Sequence, residues 1–139
     1  MASMPPVHLI LGDDEFLTER ARLQIQRAAA EETGPTGARP ELTKLKASEV
    51  SEGEILEATS PSLFGDSRVI VISDCERAGK EVVDIILRAC ANPAPGMTMV
   101  IIYSVTAKTL KKKKKQPELV AKLRKIAEVH EVFSLYPLS

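Results

Sequence analysis

The residues best placed to do chemistry are Gly12-Asp13-Asp14-Glu15, directly after the apolar run Val7 to Leu11. A glycine leaving a buried strand and opening a helix is where a nucleotide hydrolase builds its phosphate cradle. That motif is G-x-x-x-x-G-K-[ST]: the second glycine admits phosphate to the backbone, the lysine neutralises it, and the hydroxyl holds magnesium. Aligned on Gly12, this chain offers Leu17, Thr18 and Glu19 at those three positions. Asp13, Asp14 and Glu15 would repel phosphate oxygens, yet they suit the positive end of a helix. The turn reads as an acid-capped helix start, and a P-loop hydrolase is the least favoured function.

No other catalytic set emerges. His8 lies in a strand-like run and His130 in a weaker one, and neither has a partner visible in sequence, so both read as structural histidines. Cys75 and Cys90 show no C-x-x-C spacing, which points to reduced core thiols of a cytosolic protein and against a zinc site. Glu76, Glu81 and Asp84 read as solvated helix positions. The run Lys111 to Lys115 could touch a phosphate backbone. Five adjacent like charges without interleaved aromatics fit an exposed loop better. Lys plus Arg balance Asp plus Glu at 19 each, against the basic excess of a domain built to hold nucleic acid. A nucleic-acid-binding module using these lysines remains the alternative reading.

The segment Pro61-Ser62-Leu63-Phe64-Gly65-Asp66 lies between a helical pattern and the run Val69 to Ile72. Pro61 should break the helix and Gly65-Asp66 should turn the chain, which lifts Leu63 and Phe64 onto a short raised piece. Such a pair either joins the domain's own core or anchors a partner.

The elements that carry these residues follow from periodicity. Val7 to Leu11, Val69 to Ile72 and Met99 to Tyr103 are Val- and Ile-rich runs bounded by breakers, as strands buried on both faces read. Leu42 to Ala47 and Val129 to Phe133 are weaker strand candidates. Leu17, Ala21, Ile25 and Ala28 share one helix face. Ser51 and Glu54 have capping-box spacing, with Ile55 and Leu56 expected as the buried pair that follows. Val82, Ile86 and Ala89 repeat at helical intervals, as do Val83, Leu87 and Cys90. Pro117 opens a last helix bearing Leu119, Leu123 and Ile126. The alternation predicts an α/β domain, a mainly parallel sheet with helices on both faces. One domain fits 139 residues. No leader segment or membrane-length apolar run is visible, so a soluble, cytoplasmic protein is expected.

Two stretches together resemble a known family. Gly12-Asp13-Asp14-Glu15-Phe16-Leu17 is similar to the G-[DE]-[DE]-x-[FY]-L start of bacterial clamp-loader delta subunits. Leu63-Phe64-Gly65 with Arg68-Val69-Ile70-Val71 resembles that family's LF-x-x-x-R-x-[VL]-[VL] stretch, and the element order is similar along the whole chain. The resemblance implies an AAA+-like (RecA-like) domain without a functional P-loop, over residues 1–133. Residues 134–139 would then begin a linker to a second domain. It implies no cofactor, no metal and no catalysis of its own within the DNA polymerase III holoenzyme. It also implies binding of the sliding clamp (the beta subunit) through Leu63 and Phe64, framed by Pro61 and Ser62, so that the ring opens for loading onto DNA during replication. The intact subunit would meet the gamma/tau and delta prime subunits, and DNA only weakly or indirectly. The five-lysine run departs from the family pattern.

Overall fold

The computed structural model describes residues 6–32, 41–60, 67–94, 96–106 and 117–132. Strand β1 (Val7–Gly12) leads to helix α1 (Glu15–Glu32), followed by β2 (Glu41–Lys46) and α2 (Glu52–Ala58). Next come β3 (Arg68–Ser73), a 3-10 turn (Cys75–Arg77), α3 (Lys80–Ala91) and β4 (Met97–Ser104). The described chain closes with α4 (Glu118–Leu123) and β5 (Glu128–Val132). The five strands form one sheet in the order β2-β3-β4-β1-β5, and every pairing is parallel. Parallel neighbours need a crossover each time, which is why helices and strands alternate.

Alternation of side chains along each strand divides the core into two layers. Val7, Leu9 and Leu11 of β1 face one side, with Ile70, Ile72, Met99 and Ile101 beside them, under Ile55, Ile86 and Leu123 of α2, α3 and α4. Ile10, Val69, Val71 and Val100 face the other, under Ala21, Ile25 and Ala29 of α1. The inner strands are apolar at nearly every position because both faces are covered. The edge strand β2 has one neighbour only, and exposed Glu41, Lys44 and Lys46 break its apolar run and discourage edge pairing.

Several expectations shift locally. Ser51 does cap α2, accepting from the Glu54 amide. Ile55 is fully buried, but Leu56 is 55% exposed, so the expected buried pair is a single residue. A two-turn helix presents one narrow stripe to the sheet, and the next position rotates about 100° away. Ile126 is likewise exposed: α4 ends at Leu123, and a turn held by Ile126 N–H and Ala127 N–H on the Leu123 carbonyl follows. Pro117 is the N-cap rather than the first helical residue. On α1 the buried line runs through Ala29, while Ala28 is half-buried.

Cys75 and Cys90 are free and buried, as expected. Burial pushes both thiols up, Cys90 to about 12 and Cys75 further. Only the thiolate reacts. Alkylation of the native protein at neutral pH should therefore proceed no faster than the protein opens, with both cysteines labelled at once in denaturant. Rapid labelling of either in the native state would contradict this packing. None of the described helices is long and apolar enough to cross a membrane.

Candidate functional site

In open parallel sheets, ligands bind beyond the carboxyl ends of the strands. Here that position is a cleft of about 500 Å³ lined by the Gly12-to-Glu15 turn, Glu19 of α1, Ser73 at the end of β3 with Asp74 after it, and Ser104 of β4. Its described lining contains five carboxylates (Asp13, Asp14, Glu15, Glu19, Asp74) and no basic side chain. Asp14 caps α1: its Oδ1 accepts from Leu17 N–H at 3.0 Å, filling the amide direction in which a phosphate oxygen would sit.

Gly12 is needed for a reason unrelated to phosphate. A Cβ there would stand 2.3 Å from the Val132 carbonyl oxygen and 2.5 Å from its Cγ2, because β5 runs hard against β1 at this point. The buried guanidinium of α1, that of Arg22, is also committed. Arg22 is buried, its Nε donates to Glu19 at 3.1 Å, its Nη2 also donates to Glu19, and its Nη1 reaches Gln26 at 2.9 Å. The hydrogen bond from Arg22 holds the Glu19 carboxyl below its ordinary value, so it stays charged in the cleft at neutral pH. A polyphosphate would meet negative charge in this cleft, where the Leu17 and Thr18 N–H groups already donate to Asp14.

At the opposite ends of the strands lie the two stems of the Leu-Phe segment. Pro61, Ser62, Leu63 and Phe64 fall outside the described residues, as do Lys111 to Lys115 and Ser134 to Ser139. The stems themselves are firmly made. Thr59 Oγ1 donates to the Ile55 carbonyl at 2.8 Å and Ser60 Oγ to that of Leu56 at 2.7 Å, closing α2. Arg68, the first residue of β3, sends Nη1 back to the Ala58 carbonyl at 2.9 Å. Its backbone N–H donates to Gly96 O, and Ser67 O accepts from Glu41 N–H in β2. One long side chain thus ties the end of α2 to the start of β3. Exposed Leu56 lies on the last turns of α2, ahead of this segment.

Sequence reasoning missed one grouping. His8 and His130, separated by 122 positions, meet across β1 and β5 with Glu128 between them. No local pattern signals this, since only the strand order makes β1 and β5 neighbours.

No family model and no curated protein matches the chain. The fold recurs among solved structures, of which two illustrate the likeness. The DNA clamp loader delta protein of Bacillus subtilis aligns with a TM-score of 0.69 at 17% identity, over 95% of this chain and 39% of that one. A DNA polymerase III gamma subunit-related protein of Thermotoga maritima aligns with a TM-score of 0.57 at 15% identity, over 98% of this chain and 43% of that one. The chain therefore spans less than half the length of either. At such identities the likeness speaks for the fold, an α/β domain of the kind found in these two proteins.

Proposed function

We propose that this chain is the clamp-binding, N-terminal domain of a delta-type clamp-loader subunit, and that it binds without hydrolysing ATP. The observation that carries the reading is the conjunction of fold and cleft. The sheet aligns with that of a clamp loader delta protein, while the position for a phosphate cradle is lined by carboxylates and capped by Asp14. Such a domain acts by contact. Leu63 and Phe64, with Pro61 and Ser62 framing them, enter an apolar pocket on the sliding clamp and help open the ring for loading onto DNA. Beyond residue 133 the chain would lead into further domains that meet the gamma/tau and delta prime subunits in the cytoplasm. Apolar anchors of this kind can each cost about 2–4 kcal/mol on truncation.

Calorimetry of the chain with a bacterial sliding clamp, beside a Leu63→Ala/Phe64→Ala variant, tests the reading. Binding by the parent is expected, with at least a ~100-fold loss in the variant, or ~2.7 kcal/mol, at unchanged melting temperature. No binding by the parent, or a variant that unfolds, would assign the pair to the core instead. Equilibrium dialysis against ATP and magnesium is the companion measurement. No uptake is expected, and submillimolar binding would overturn the account of the cleft.

A further inference from the structure

The chain has only two histidines, and the fold brings both to one point. His8 of β1 pairs in register with Glu128 of β5, and Ile10 pairs with His130 two residues further on. Registered neighbours in a parallel sheet project to the same face, so His8, Glu128 and His130 all point to the α1 side. His8 Nδ1 lies 3.2 Å from His130 Nε2 and 3.9 Å from Glu128 Oε2, and His130 Nε2 lies 4.0 Å from Glu128 Oε1.

Zinc binds imidazole nitrogen and carboxylate oxygen at roughly 2.0–2.2 Å, which puts tetrahedral donors roughly 3.3–3.6 Å from one another. The two imidazole nitrogens are close to that spacing, while the contacts to Glu128 are longer and use its two different oxygens. One atom from each residue lies within 4.8 Å of the others, so the exposed Glu128 side chain would swing inward to complete the set. His8 is 1% exposed, so its ring is fixed by packing, while Glu128 is exposed and His130 half-buried. Beside the three donors is a cavity of about 250 Å³, lined also by Ala21, Gln24, Ile25 and Ala28 of α1. It leaves room for water as a fourth ligand.

We infer that His8, Glu128 and His130 form a binding site for a divalent cation of the zinc class, which clips edge strand β5 onto β1. Two imidazoles with one carboxylate select zinc, cobalt, nickel or iron over magnesium or calcium, which prefer all-oxygen sites. Three protein ligands with an open position is the arrangement of a zinc that retains an exchangeable water. The site lies on the α1 face of the sheet, and none of its lining residues lines the acidic cleft. The proposal therefore stands independently of the clamp-binding reading. Because the ion would bind the folded state, it would raise stability in proportion to the logarithm of its concentration over Kd.

The test uses the 139-residue chain stripped with a chelator and titrated with cobalt(II), then zinc. The expected result is one cobalt per chain with visible d–d bands, displacement by zinc, and a melting temperature that rises with zinc concentration. Glu128→Gln and His130→Ala, both at positions with some exposure, should fold like the parent in chelator. Each should weaken binding by more than the ~100-fold that changes to outer-shell partners cause. Absence of cobalt bands and of a zinc-dependent melting shift would overturn the inference and leave a hydrogen-bonded histidine pair. Binding that persists unchanged in His130→Ala would overturn it equally.

Discussion

Replacing Gly12 by alanine is expected to destabilise the domain by about 3 kcal/mol, at the upper end of what forced overpacking costs. The new Cβ would lie 2.3 Å from the Val132 carbonyl oxygen and 2.9 Å from its carbonyl carbon, so backbone must move. The movement falls on the Gly12–Val132 register pair, where β5 hangs on β1 alone. In a domain of this size about 3 kcal/mol corresponds to a fall of roughly 8–15 °C in Tm. Gly53→Ala supplies the opposite case. That residue lies in the first turn of α2, where an added Cβ meets only Ser51 Oγ at 3.9 Å, and alanine there should stabilise by up to ~1 kcal/mol. Thermal melts of the two variants decide the matter. A neutral Gly12→Ala would mean that β5 relaxes freely, whereas a residue kept for phosphate binding would show its effect only in the presence of nucleotide.

The sheet was legible because inner parallel strands have an unmistakable composition. Val7 to Leu11, Val69 to Ile72 and Met99 to Tyr103 each fall within a strand buried on both faces. The edge strands were readable only as weak candidates, since β2 and β5 need cover on fewer sides and admit charge. Sequence spacing could not tell Ile55 from Leu56, because adjacent apolar residues on a short helix compete for one stripe. It also misjudged Ile126, whose helical spacing continues past the point where the chain must turn into β5. The acid-capped turn was legible for a chemical reason: Asp14 has to satisfy helix amides wherever the fold places it. The His8–Glu128–His130 grouping was illegible, because proximity across 122 positions depends on strand order, which residue types alone do not encode. Arg68 lies between these cases. Its place in the stretch that resembles the delta-subunit pattern is readable, and only the structure gives the bond to Ala58 that ties α2 to β3.

Leu9→Ala should be the most damaging conservative truncation among the described residues of β1, at about 2–5 kcal/mol. Leu9 has no exposure, and its strand is paired on both sides, to Ile101 of β4 and Val129 of β5. The layer it enters also contains Ile70, Ile86, Met99 and Leu123, which come from four separate elements. A cavity there cannot be closed by moving one helix, because the strands on either side fix the floor. Removed atoms would therefore leave most of their volume behind, and the cost rises with the volume that remains. Leu56→Ala removes the same atoms from the same residue type at 55% exposure, and should stay within about 0.5 kcal/mol of the parent. Urea unfolding of the two variants measures the difference directly, since the slope is shared and only the midpoint should shift. Equal costs would show that the two-layer core is wrongly apportioned. A large gap would mean that burial, and not residue type, sets the energetic weight of each leucine in this sheet.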